Sequence, residues 1–488
     1  MKDFKVLSKT LKYGILTFFI LPYILLIKFF TLNIDINSSE LFWALKNSFI
    51  QSSLAATACV FLGSFLAFGI FQFNPGMRRL ILKLVLLPQV LPSLFSILIA
   101  FSLVQPFPMG HFGVIFIFIL INLGFAVFQI SNAIQDKIGN LALVSEVFGI
   151  KSIQFYRKIL IPLLWSDIKL NFTLIFLFCF SSLSIPLVAG GGKGTNLEVL
   201  IFEKIYIDQN WSTAWLMMVV QVAIVFSLSY FFLKSQSHEG KSFVVHKFVK
   251  SKMAAVGILL YLLIYIGGYL FNLVQSVAAF DIIGEYAKEI IASTVNTIFI
   301  LSSVLLICYA VLLAWMTDYI QNLRHNMAIH LISASTVLVG FSLYIFFPGA
   351  KVFDFIKIPL AFVILFFPFL FKMFFEKNID KLKKQILVSK IFGLSNSKII
   401  FEVVFKQIRR PAFLAVSLLS IWTLSDFAIL RSLGTQTQTL GLITQSFLSS
   451  YRLSAAYLVS FYVLIVWLVI CSVAYFLIEG FHVDHKKH

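Results

Sequence analysis

Long apolar runs separated by short polar gaps occupy nearly the whole chain. Windows of about nineteen residues predict membrane spans near 14–32, 46–72, 80–104, 113–134, 168–189 and 212–233. A second set follows near 253–275, 289–315, 327–348, 355–375, 411–432 and 453–478. A helix of about twenty residues crosses about 30 Å of hydrocarbon. The pattern therefore predicts an all-α polytopic membrane protein with about twelve transmembrane helices. The runs at 46–72 and 289–315 exceed one membrane thickness, which tilt or extension beyond the bilayer accommodates.

The polar gaps are of two kinds. Basic residues gather at Lys2, Lys5, Lys9 and Lys12, at Arg78/Arg79/Lys83, from Lys137 to Lys158, from Lys234 to Lys252, from Lys377 to Arg410, and at Lys486/Lys487. The gaps between these are poor in base: 33–42 holds Asp35 and Glu40 with no Lys or Arg, and 276–288 sets Asp281 and Glu285 against Lys288. By the positive-inside rule the basic gaps, and with them both termini, are expected in the cytoplasm. The run at 14–32 is too long for a signal-peptide core and no small-residue cleavage site closes it, so it is expected as a retained first span.

One polar gap repeats another. LVSEVFG at 143–149 returns as LVSKIFG at 387–393, with Leu143/Leu387, Val144/Val388, Ser145/Ser389, Phe148/Phe392 and Gly149/Gly393 identical. A repeat at half the chain length implies a duplicated unit. Six spans in each half give both halves the same topology, as parallel repeats about an axis along the membrane normal. The expected organisation is a first half 1–234, a basic linker 235–252 and a second half 253–488. Both copies fall between the fourth and fifth spans of their halves, in long polar loops at 135–167 and 376–410. Connections are usually much shorter, so the pair points to docking with a partner.

The residues around the first copy resemble the cytoplasmic "EAA" loop of binding-protein-dependent ABC importer permeases, EAA-x3-G-x9-I-x-L-P. Gly149 is followed thirteen residues later by Pro162, within Ile159-Leu160-Ile161-Pro162. Leu143-Val144-Ser145 stands where the family has Glu-Ala-Ala, with Glu146 the nearest acid. The second copy keeps Gly393 but puts Lys406 at the proline position, with Pro411 later. Thiamine and ferric-iron permeases share the fused layout. Gly190-Gly191-Gly192 with Thr195-Asn196-Leu197-Glu198-Val199 and Ile201 resembles the GGG…TTLEV-x-I stretch of thiamine permeases. So do Leu424-Ser425-Asp426-Phe427, Leu440 and Ser450-Tyr451-Arg452 beside their LGDF…L…SYR, and Leu86-Leu87-Pro88 fits as well.

The resemblance implies a type I ABC importer permease fold in a bacterial inner membrane. It implies two copies of an ATPase subunit engaging loops that contain Ser145, Glu146, Gly149, Pro162, Ser389 and Gly393. It also implies an extracytoplasmic substrate-binding protein on the other face and a thiamine-like cation or ferric iron as cargo. The chain itself would bind no cofactor, ATP being used by the partner.

Composition narrows the alternatives. Apolar residues make up 60% and charged residues 12%, against about a quarter charged in soluble proteins. Lys plus Arg exceed Asp plus Glu by 39 to 21; without a basic stretch interleaved with aromatics this reflects membrane orientation rather than nucleic-acid binding. Cys59, Cys179, Cys308 and Cys471 lie in apolar runs and form no metal or disulfide motif. Gly190–Thr195 lacks the GxxxxGK[ST] pattern of a phosphate loop, and no catalytic constellation is present. A 6 + 6 secondary transporter driven by an ion gradient is the competing class.

Asp426, within the eleventh predicted span and five residues before Arg431, is either a charge on the translocation path, a partner of Arg431, or the cap of a broken helix. Ser425, Ser181, Ser182 and Ser184 are path-lining or packing residues. Pro88, Pro92 and Pro186 are kink points or tolerated prolines.

Overall fold

The computed structural model describes residues 38–148, 152–233, 252–277, 280–322, 335–347 and 349–478, with isolated positions before residue 18. Among these the chain is almost entirely helical and contains no strand. The expected span at 14–32 lies mostly outside the described residues, as does the linker 235–251.

The first group of helices is α1 (Ser38–Ile70), the bent pair α2 (Pro75–Val90) and α3 (Ser93–Leu103), α4 (His111–Val147), α5 (Ile161–Phe180), α6 (Ser184–Ala189), α7 (Leu197–Tyr206), α8 (Trp211–Leu233) and α9 (Lys252–Ser276). The second group is α10 (Ala287–Asn322), α11 (Thr336–Phe346), α12 (Lys351–Leu370), α13 (Lys383–Ile391), α14 (Arg409–Ser425), α15 (Ala428–Ser432), α16 (Leu440–Ser449) and α17 (Leu453–Ile478). Eight described helices are long and apolar enough to cross a membrane alone, nine if the bent pair counts as one span.

Several predicted spans end differently. The run at 80–104 turns by 94° between α2 and α3, where Leu91 and Pro92 adopt extended backbone. The proline has no N–H to continue a helix. The run at 168–189 begins earlier and stops at Phe180, and the run at 411–432 stops at Ser425. Of the run at 327–348, only Thr336–Phe346 is described as helix.

The described fold comprises two compact units. One comprises Asp35–Gln209 with Leu216–Ala278; the other contains Ala279–His488 with Asn210–Trp215. In the first, α1 packs along α4 and α5, and α9 packs on α1 and α3. Small residues let the backbones meet, as membrane helices require in the absence of a hydrophobic driving force. A Cβ on Gly69 would stand 2.4 Å from the carbonyl carbon of Ala254, so α1 and α9 touch main chain to main chain. In the second unit α10 packs on α12 and α14, α14 on α17, and α11 on the short α15.

Each unit holds a short helix against its long first helix by the same bonds. Asn47 Nδ2 donates to Thr195 O (2.9 Å), and Ser48 Oγ accepts from Leu197 N (2.8 Å). In the other unit Asn296 Nδ2 donates to Gln438 O (3.1 Å), and Thr297 Oγ1 accepts from Leu440 N (3.1 Å). Asn196 then caps α7 by accepting from Val199 N (2.9 Å), and Thr439 caps α16 by accepting from Leu442 N (3.5 Å). A short polar side chain at this position satisfies an amide that the helix leaves without a partner.

Candidate functional site

The repeated heptapeptide is a helix ending. In the second copy α13 stops at Ile391 and the chain turns through Gly393 at φ +74°. Gly393 N donates to Lys390 O (3.0 Å) and Leu394 N to Ser389 O (3.1 Å). This pair of bonds caps a helix with a left-handed residue, which glycine adopts without the penalty of a side chain. The reversal leaves Ile391 82% and Phe392 80% exposed, while Ser389 and Ile386 are buried.

The hairpin is anchored. Lys390 Nζ donates to Ile320 O in the last turn of α10, and burial there lowers the ammonium pKa from its ordinary value. Tyr319 Oη donates to Asp380 Oδ1 (2.8 Å). Gln407 Nε2 donates to Gln385 Oε1 (2.6 Å) across the two arms. After the turn Ser395 caps a short helix at Asn396–Lys398, a π-helical stretch follows at Ile399–Val404, and a last turn ends at Gln407. Lys406 thus lies in that last turn, and Pro411 lies near the start of the new helix α14.

The first copy ends α4. Ser145 and Glu146 lie in its last turns, Gly149 lies outside the described residues, and Val147 and Phe148 are 83% and 76% exposed. A helical turn at Ser152–Phe155 leads into a π-helical stretch at Tyr156–Leu160 and then α5, where Pro162 occupies the first turn and is exposed. Proline suits a first turn because its missing N–H is not needed there. Phe155 and Leu160 are buried with Ala67, Phe71, Ile130 and Leu164. Lys137 Nζ pairs with Asp167 (2.6 Å) across α4 and α5 and donates to Ser166 Oγ (3.2 Å). Both copies therefore present a bulky apolar pair, Val147–Phe148 and Ile391–Phe392, at the end of a helix. Only its phenylalanine stood out in the repeat.

The candidate path residues mark matching breaks. Ser181 ends α5, and Ser182 O accepts from Asn196 Nδ2 (2.8 Å). Ser425 ends α14, with its Oγ bonded to Ile421 O (2.5 Å). Ser181-Ser182 and Ser425-Asp426 are separated by the same 244 residues as the heptapeptides. Asp426 Oδ1 accepts from Ile429 N (2.8 Å), so of the alternatives for this acid the structure contains the helix cap. Arg431 Nε donates to Gln445 Oε1 (2.9 Å) instead.

Two buried polar pairs went unanticipated: Asp354–Lys357, and the partner of Glu198, which the sequence offered only as a letter of a resembling motif. Asp354 Oδ1 pairs with Lys357 (2.8 Å) within α12, while Oδ2 accepts from Gln436 N (2.9 Å) and Thr437 N (2.8 Å). Glu198 of α7 is fully buried and accepts from Gln221 Nε2 of α8. Isolated polar residues in apolar runs were the available signal. Among the described residues no group of three metal-ligating side chains occurs.

Residues 59–238 match the family described as binding-protein-dependent transport system inner membrane component. In its all-α fold with several membrane-length helices the chain resembles type I ABC importer permeases, multi-pass proteins of the inner membrane. Within that class it resembles thiamine permeases. It is 26% identical over 208 residues to the thiamine transport system permease protein ThiP of Escherichia coli (strain K12), and likewise to that of Salmonella typhimurium. Each of these alignments spans 39% of either chain, well under half of the relative's length. The ThiP of Haemophilus influenzae is 22% identical over 432 residues, 80% of either chain.

Proposed function

We propose that the chain is the fused, two-half permease of a binding-protein-dependent importer and that its substrate is thiamine or a closely related organic cation. The observation that carries this reading is the exposed apolar pair closing a helix in both copies of the repeat, Val147–Phe148 and Ile391–Phe392. An apolar pair at the end of a helix, in a polar loop rich in Lys and Arg, suits insertion into a cleft of a partner subunit. On the orientation expected from the basic loops, both pairs face the cytoplasm, where ATP is available. Two ATPase subunits would grip the loops, and a binding protein would deliver cargo to the opposite face.

Thiamine is favoured over ferric iron by the likeness to three thiamine permeases. The test is uptake of labelled thiamine by cells lacking their own permease, supplied with this chain, its ATPase and its binding protein. ATP-dependent uptake that unlabelled thiamine suppresses and ferric iron does not is expected. Uptake of iron instead would overturn the substrate, and uptake driven by an ion gradient without the ATPase would overturn the class.

A further inference from the structure

A tyrosine hydroxyl is lodged against the backbone of α4. A Cβ on Gly124 would stand 1.6 Å from Val85 O and 3.0 Å from Tyr261 Oη, so both groups press on bare main chain. Tyr261, a buried residue of α9, donates its hydroxyl to Leu120 O (3.0 Å) and accepts from Gly124 N (3.2 Å). In an uninterrupted α-helix those two backbone groups bond to each other. The hydroxyl competes for both ends of one rung, and helices bend where a side chain enters the ladder.

Tyr261 heads a stripe at four-residue steps. Tyr265 Oη bonds Ser96 Oγ (2.8 Å), and the Tyr269 ring lies 5.5 Å from that of Phe95. Ser96 and Phe95 belong to α3, beyond the 94° bend, whereas Val85 lies in the arm before it. A π-helical stretch at Leu263–Gly267 falls within the stripe, and such stretches concentrate at functional sites. One face of α9 therefore reaches the broken span and a rung of α4 together. From that rung α4 continues unbroken to Val147, in the first copy of the repeat. At its other end His111 Nδ1 bonds Gln51 Nε2 (3.1 Å).

We propose that Tyr261 is a positioning residue for transport, holding the backbone of α4 at the Leu120–Gly124 rung and hence the course on which α4 carries the first docking loop to its partner. The transport role rests on the importer reading above. Tyr261→Phe keeps the ring and removes the hydroxyl. The full chain, reconstituted in vesicles with its ATPase and binding protein, gives thiamine moved per ATP hydrolysed. Tyr261→Phe should lower that ratio about fivefold or more, the scale of coupling changes along packed networks, while ATP hydrolysis persists. Tyr265→Phe, which also loses a buried hydroxyl but one bonded to Ser96 of α3, should keep the wild-type ratio. An unchanged ratio in Tyr261→Phe, or an equal loss in Tyr265→Phe, overturns the proposal.

Hydrogen exchange on the purified chain in detergent tests the rung without any partner. In the wild type the Gly124 amide already donates to the hydroxyl. In Tyr261→Phe the helical bond to Leu120 O replaces it, so exchange at Gly124 should slow by up to about fivefold, at most the effect of one hydrogen bond; unchanged exchange overturns the proposal. A wild-type chain that shows no ATP-driven uptake would instead count against the importer reading, and the exchange measurement would still decide the rung.

Discussion

Gly393 and Tyr451 close helices with the same pair of bonds. Tyr451 N donates to Leu448 O (3.1 Å) and Arg452 N to Phe447 O (2.9 Å), at φ +57° against +74° for Gly393. A side chain in the left-handed region costs about 1–2 kcal/mol. Gly393→Ala has open space around the new methyl, so it should cost about 1 kcal/mol through backbone strain alone. Tyr451→Gly should recover a similar amount. Thermal unfolding in detergent checks both: the midpoint falls in the first and rises in the second. At Asp354 the stakes are larger, because Lys357→Met leaves a buried carboxylate without its cation, a loss of about 3–5 kcal/mol. Adding Asp354→Asn should restore much of the midpoint, since the amide oxygen still accepts from Gln436 and Thr437. No recovery in the double variant would show that the carboxylate serves the two amides rather than the lysine.

Elements were legible where hydropathy is periodic over a whole span and illegible where it continues across a backbone break. Phe180-Ser181-Ser182-Leu183 and Leu424-Ser425-Asp426-Phe427 interrupt apolar runs too briefly for a window of about nineteen residues to register. Yet both are helix ends. The 94° turn at Leu91–Pro92 was foreshadowed only by its prolines. The heptapeptide revealed its duplication in the letters, but the exposure of Val147 and Ile391 depends on where the helices stop. The clamps formed by Asn47–Ser48 and Asn296–Thr297 look in sequence like tolerated polar residues in α1 and α10. Asn47→Ala and Asn296→Ala should each cost about 1 kcal/mol, a typical net hydrogen bond. Each should increase protease nicking of its own loop, near Gly192 or near Gln436. Nicking that leaves the altered loop untouched would count against the clamps.

At the scale of the molecule the two repeats are related but unequal. The first keeps the Gly149-to-Pro162 frame and passes through a π-helical stretch into α5. The second ends at Gln407 before α14 begins, and Lys390 binds it to α10. If the proposed ATPase docks on these loops, Phe148→Ser should therefore weaken its capture more than Phe392→Ser, as measured by co-purification from membranes. Equal losses would show that both loops engage alike. The inequality could be anticipated from Lys406 in the proline position; the tether at Lys390 could not, because it requires knowing that α10 ends beside α13.

The place of α9 bears on how the protein is made. It follows the linker in the chain but packs with α1 and α3. A ribosome must therefore translate well past residue 234 before the unit of Asp35–Gln209 and Leu216–Ala278 has all of its helices. Until then the faces of Gly69 and Gly124 that α9 covers lack their partner. The early product, up to that point, is an unfinished unit.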